Sequence, residues 1–189
     1  HTNEIAQSEA YLGHPWCKYW VHIAHLDTAG GKMSKSKGEF TTVSTLEEKG
    51  YDPLIYRLFC LQSHYRKALV FSYENLDNAR AAYEKLVARV AALTGEGEVD
   101  PAVFGQYQTA FKEALGNDLN TSLAVTRLYD VLKADANDAT KRALIESFDQ
   151  VLGLDLLKKA AAYREKQAAP AGGEDAAEIE ALVAARTAA

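Results

Sequence analysis

The chain is poor in the residues that would tie it to an oxidising compartment or a membrane. Its two cysteines, Cys17 and Cys60, form no C-x-x-C pair and no disulfide framework, a usage that fits a reducing, cytoplasmic setting. No apolar run approaches the ~20 residues of a membrane span. The N-terminal segment has no signal-peptide apolar region, so no membrane role is expected. Positive charge is in the minority: 21 Lys and Arg against 26 Asp and Glu leave a net charge of −5 and a pI near 5.6. That balance excludes a generally basic nucleic-acid coat and confines any RNA or nucleotide contact to a local cluster. Methionine occurs once in 189 residues, at position 33, and the chain opens at His1, so it is expected to be part of a longer polypeptide. With 48% hydrophobic residues it can still bury the core of one or two small domains.

What is present, early in the chain, is a concentrated basic segment. Gly30-Gly31-Lys32-Met33-Ser34-Lys35-Ser36-Lys37-Gly38 sets three lysines in six positions between glycines. This composition is expected of a mobile loop that closes over phosphates, the glycines bending the backbone and the lysines supplying compact positive charge. Arg57, His64, Arg66 and Lys67 extend the local cluster. Taken by itself, a lysine- and serine-rich run is more often a solvated hairpin tip.

Around that segment the pattern is mostly helical. Ile5, Ala6, Glu9, Ala10 and Leu12 read as the end of a helix stopped by Gly13, with Pro15 just beyond. Tyr19-Trp20-Val21-His22-Ile23 is β-branched and aromatic and favours a strand. Ser44-Thr45-Leu46-Glu47 reads as the capping box of a short helix ended by Gly50. Asp52 and Pro53 suit the N-cap and first position of the next, with Leu54, Ile55, Leu58 and Phe59 as its stripe.

Beyond Ser72 the spacing is helical almost throughout, beginning with Leu76, Ala79, Tyr83, Leu86, Val87, Val90 and Leu93 on one face. Asp100-Pro101 opens a second long helix through Phe104, Tyr107, Phe111 and Leu115. Asn120 or Thr121 opens a third through Val125, Leu128, Tyr129 and Leu132. Asn137 or Asp138 opens a fourth, carrying Leu144, Phe148, Val151 and Leu152 and closed by Gly153. These elements predict a bundle. Ala168-Ala169-Pro170-Ala171-Gly172-Gly173 has the composition of a linker, and residues 174–189 open a helix that stops uncapped, so truncation is expected at this end as well.

Lys32-Met33-Ser34-Lys35-Ser36 resembles the KMSKS signature of class I aminoacyl-tRNA synthetases, and its flanks narrow the resemblance to the cysteinyl-tRNA synthetases. His1-Thr2-Asn3-Glu4-Ile5-Ala6-Gln7 is similar to that family's HH-x-NEIAQ segment, and His14-Pro15 with Tyr19-Trp20-Val21-His22 is similar to its approach to the loop. Ser63-His64-Tyr65-Arg66 and Ser72-Tyr73-Glu74-Asn75-Leu76 resemble the junction into its helical domain. The fold this implies is mainly α. Residues 1–71 are the tail of a class I, Rossmann-type catalytic domain with the signature loop and stem-contact helices. Residues 72–167 are a DALR-like helical bundle of tRNA-binding type, and 168–189 are a linker and the start of a C-terminal helix.

The resemblance implies a cytoplasmic, monomeric cysteine–tRNA ligase that forms AMP and pyrophosphate. It uses ATP with magnesium to activate L-cysteine as cysteinyl adenylate and transfers it to the cysteine tRNA. It assigns ATP binding to Lys32, Met33, Ser34, Lys35 and Ser36, with Lys35 first and Lys32 second as the catalytic lysines. Preorganised positive charge of this kind lowers the barrier where negative charge grows on the transferring phosphoryl group and the departing pyrophosphate. It also implies zinc, a borderline-soft ion that binds the substrate thiolate and rejects serine, and it makes Glu4 a zinc ligand. The family's ligating histidine lies four residues before that glutamate, whereas the chain opens three before it; His1 paired with Glu4 is the weaker version. Cys17 and Cys60 read as small buried residues rather than ligands. His22, His25 and His64 form no spacing from which an acid or base role can be argued. Arg57, Arg66 and Lys67 are candidate contacts to the inner bend of the tRNA, with ordinary solvated charge the equal alternative for Arg66 and Lys67.

The sequence contains no His-x-Gly-His motif, so residues 1–189 alone are expected not to activate cysteine. Two other readings compete. One is the cysteine ligase of mycothiol synthesis, which joins cysteine to an amino-sugar; the other is a non-catalytic helical module that binds tRNA or a protein.

Overall fold

The computed structural model describes residues 1–28, the backbone of 31–32, and residues 42–168. Among them lie eight helices and three short strands: α1 (Thr2–Leu12), β1 (Leu26–Thr28), β2 (Gly31–Lys32), α2 (Val43–Glu48), α3 (Pro53–Leu61), β3 (Leu69–Phe71), α4 (Tyr73–Ala91), α5 (Pro101–Gly116), α6 (Thr121–Lys133), α7 (Asp138–Leu152) and α8 (Leu156–Ala168). The described part is therefore mainly α. The linker and terminal helix expected from residue 169 onward lie outside the described residues.

Local chemistry starts and stops these helices. Asp52, Ser72, Asp100, Asn120 and Asn137 each accept a backbone N–H two or three residues on, at 2.8–3.1 Å. Each such cap contributes about 1 kcal/mol. Pro53 and Pro101 sit where a missing N–H costs nothing. Gly13 ends α1 in the left-handed conformation at φ 73°, its N–H donating to the Glu9 carbonyl at 2.8 Å.

Three local expectations are corrected. Residues 19–23 are irregular rather than a strand, because Tyr19, Val21 and Ile23 all face solvent and, among the described residues, no neighbouring backbone offers a ladder there. The first partner appears at Ala24, whose N–H donates to the Tyr65 carbonyl at 2.8 Å, and the strand begins two residues later. The cap of α2 is Thr42 rather than Ser44. Thr42 has the extended backbone a cap requires and accepts from Thr45 N–H at 3.2 Å, which leaves Ser44 inside the helix and Leu46 buried. On α7, Val151 is 55% exposed, since Ile145, Phe148 and Leu152 take the centre of the inward stripe and Val151 falls at its margin.

The sheet has the order β2-β1-β3. β1 pairs antiparallel with β2, Asp27 opposite Lys32 and Thr28 opposite Gly31, and parallel with β3, from Leu26 opposite Leu69 to Thr28 opposite Phe71. Phe71 is buried and meets Phe59 of α3 edge-on at 6.3 Å between ring centroids, so β3 carries the sheet onto the helices. The core is one continuous cluster from Leu46 to Ala160, with no break between residues 71 and 72.

Helix α8 had no start signal of the usual kind. Its first amide and the chain entering it are held from the previous helix, Asp149 accepting from Leu156 N–H at 2.7 Å and from Leu154 N–H at 2.6 Å. Leu154 and Leu156 are fully buried, and α8 then packs along α4. The turn depends on Gly153, at φ +61°, where an added Cβ would come within 3.1 Å of the Arg57 guanidinium that donates to the Leu152 carbonyl. Gly153→Ala is expected to cost about 1–2 kcal/mol. It would be read as a lower urea midpoint at unchanged slope.

Candidate functional site

The first residue of the signature segment, Lys32, lies in β2. Lys32 stands opposite Asp27 in the antiparallel ladder, and β1 is itself held on its other edge by β3. The chain is next described at Thr42, whose cap starts α2 and whose helix buries Leu46. Both flanks of the segment are thus fixed to the core. Of the expected ATP-binding residues, Lys32 is described in its backbone only, and Met33, Ser34, Lys35 and Ser36 lie outside the described residues.

A second constellation is built on the loop between α3 and β3. The Asp118 carboxylate, in the turn between α5 and α6, accepts from Tyr65 Oη at 2.6 Å and from Arg66 Nε and Nη2 at 2.7 and 3.1 Å. His64 Nε2 lies 3.8 Å from it, and the His64 and Tyr65 rings stack at 4.9 Å. The Arg66 fork, followed by the Tyr65 hydroxyl, holds the Asp118 carboxyl down at about 2. Thr121 Oγ1 adds a bond to the Ser63 carbonyl at 3.4 Å. Sequence reading singled out Ser63-His64-Tyr65-Arg66 but not its partner. The available signal was Asn117-Asp118, residue types that tolerate the left-handed conformation Asp118 adopts.

The cations named as tRNA contacts fall into different situations. Arg57 donates to the Leu152 carbonyl at the end of α7, and Arg66 is engaged by Asp118. Lys67 is exposed.

Glu4 sits in the first turn of α1 with its side chain 59% exposed. The N-terminal amine of His1 approaches it at 3.9 Å, while the His1 ring stacks on Trp20 at 4.7 Å and meets His22 edge-on at 4.7 Å. Among the described residues no three His, Cys, Asp or Glu side chains group closely enough to hold a metal ion. These residues by themselves do not fit a tetrahedral zinc site. Cys17 and Cys60 are half-buried free thiols, less enclosed than expected. Cys17 Sγ donates to the Tyr19 carbonyl at 2.9 Å, and burial pushes the Cys60 thiol up. Among the described residues no helix is long and apolar enough to cross a membrane.

Comparison with known proteins gives a consistent answer. The family described as "tRNA synthetases class I (C) catalytic domain" matches residues 1–81. The cysteine–tRNA ligase of Novosphingobium aromaticivorans is 40% identical over an alignment that covers all of this chain and 41% of that protein. The cysteine–tRNA ligase of Symbiobacterium thermophilum is 38% identical over 98% of this chain and 42% of its own length. Cysteine–tRNA ligase 1 of Burkholderia lata is 39% identical over 82% of this chain and 33% of its own. The chain spans about two fifths or less of the length of these curated relatives.

Proposed function

This chain is a relative of the class I cysteine–tRNA ligases, and from that kinship we propose that it serves the ATP-dependent activation of L-cysteine and its transfer to the cysteine tRNA. The carrying observation is that the likeness runs the length of the chain, through the signature segment and the helices alike. The attachment of β2 to the buried body through β1 and β3 supports it. An agent of charge stabilisation has to be delivered from a fixed base.

In this reading the carboxylate of cysteine attacks the α-phosphorus of ATP and pyrophosphate departs. Lys35, and secondarily Lys32, stabilise the charge that accumulates, with Met33, Ser34 and Ser36 completing the nucleotide contact. Magnesium accompanies the ATP phosphates. A terminal hydroxyl of the tRNA then attacks the acyl carbonyl and AMP leaves. Residues 1–71 present the signature segment, 72–167 dock the tRNA, and 168–189 form a linker and helix. Glu4 enters as one zinc ligand of the family pattern, and it is not a site by itself. The protein acts as a cytoplasmic monomer. The match to a tRNA ligase over the whole of this chain favours tRNA over an amino-sugar as acceptor.

ATP–pyrophosphate exchange by the complete protein tests this. Exchange that requires cysteine and ignores serine, followed by charging of the cysteine tRNA but not of glucosaminyl inositol, is the expected result. Exchange that is absent, or equal with serine, would refute it. The 189 residues alone, without a His-x-Gly-His sequence, are expected to give none.

A further inference from the structure

We infer that Asp118 is a positioning residue for the strand pair that carries Lys32, tying the α5–α6 turn of the bundle through β1 to β2. The inference rests on the reading above for what that strand pair carries. The path is short and continuous. Asp118 accepts from Tyr65 Oη and from both arms of the Arg66 fork, the Tyr65 carbonyl accepts Ala24 N–H at 2.8 Å, and Leu69 N–H donates to the His25 carbonyl at 3.3 Å. One residue beyond His25, β1 begins, and its Asp27 stands opposite Lys32.

The turn is shaped for this purpose at a local cost. Asp118 and Leu119 both adopt left-handed backbone, at φ 56° and 50°. Asp tolerates that conformation, but leucine does not adopt it freely. Leu119 is 52% exposed, so burial of its side chain does not offset the strain. What the turn achieves is to aim one carboxylate at three donors on a loop more than 50 residues away in sequence. Thr121 Oγ1 on the Ser63 carbonyl closes the same two segments a second time. With Arg66 65% and Asp118 45% exposed in their side chains, the pair adds little to global stability. Its effect is local geometry.

Asp118→Asn in the complete protein isolates the carboxylate's charge, because asparagine adopts the left-handed turn as readily as aspartate. The amides of Ala24 and Leu69 are expected to exchange with deuterium roughly three- to tenfold faster. The amides within α5 and α6 and the urea midpoint should stay unchanged. The maximal rate of pyrophosphate exchange should fall several-fold while the KM for cysteine holds. Tyr65→Phe, which removes only the 2.6 Å hydroxyl contact, should move the same amides less far, and it carries the test if Asp118→Asn fails to fold. Ala24 and Leu69 amides as slow as in the unmodified protein would overturn the inference. So would a uniform acceleration across the bundle, which marks a merely structural role. If the unmodified protein shows no pyrophosphate exchange, the proposed function fails while the amide measurement still decides the tie.

Discussion

Replacing Lys35 by alanine in the complete protein is expected to lower cysteine-dependent ATP–pyrophosphate exchange by about 10²- to 10³-fold. That is the loss seen when one preorganised donor to a developing oxyanion is removed. In barrier terms it is about 2.7–4 kcal/mol. The charge that Lys35 meets grows only as the α-phosphorus is attacked, so the loss should fall on the maximal rate and leave the KM for cysteine nearly unchanged. Lys32→Ala should do less. Position 35 lies outside the described residues, while the β1–β2 ladder and the Thr42 cap of α2 are made by other residues. Circular dichroism and the urea midpoint should therefore match the unmodified protein. Exchange insensitive to Lys35 would leave the helical binding module as the better account.

Phe148→Ala should produce the largest loss of stability. The Phe148 ring is fully buried and lies almost parallel to Phe111, 4.0 Å between centroids and 10° between planes, joining α7 to α5. Removing a buried phenylalanine costs about 3–5 kcal/mol through lost transfer and the cavity left behind. Against a typical total of about 5–15 kcal/mol this brings the chain near its limit. Val151→Ala on the same helix, where the side chain already meets solvent, should stay within about 0.5 kcal/mol. Urea unfolding of the pair measures both. Equal midpoints would mean that the stacked rings are not the keystone of the α5–α7 contact.

How far the sequence could be read depended on the range of the interaction that decides each element. Asp52, Asp100, Asn120 and Asn137 start their helices through side chains acting two or three residues away, so their places were legible without the fold. The bundle stripe was legible for the same reason, and Leu76, Tyr83, Leu86 and Val90 are all buried. Residues 19–23 show the limit. Their composition suits a strand, but a strand exists only where a neighbour supplies a ladder, and that neighbour, β3, first pairs at Leu26. Helix α8 was hidden because its first amide is satisfied by Asp149 from the helix before it. At the candidate site the signature lysines announced themselves by composition, whereas Asp118 did not, since its meaning lies in donors more than 50 residues away. Glu4 was nameable only by family pattern, and among the described residues it belongs to no group of three ligating side chains.

The unbroken core between Leu46 and Ala160 bears on how this protein can be dissected. Leu58, Phe59 and Phe71 belong to the first 71 residues, yet they share one buried cluster with Leu76, Ala79 and Tyr83 of α4. A cut at residue 71 would not release a smaller working unit. It would strip those side chains of their cover and present a sticky apolar face to solvent. The part that carries the signature segment and the helical part are expected to melt in a single transition. A destabilising change deep in α7 would then be felt at β1 as lost yield of folded protein rather than as altered chemistry.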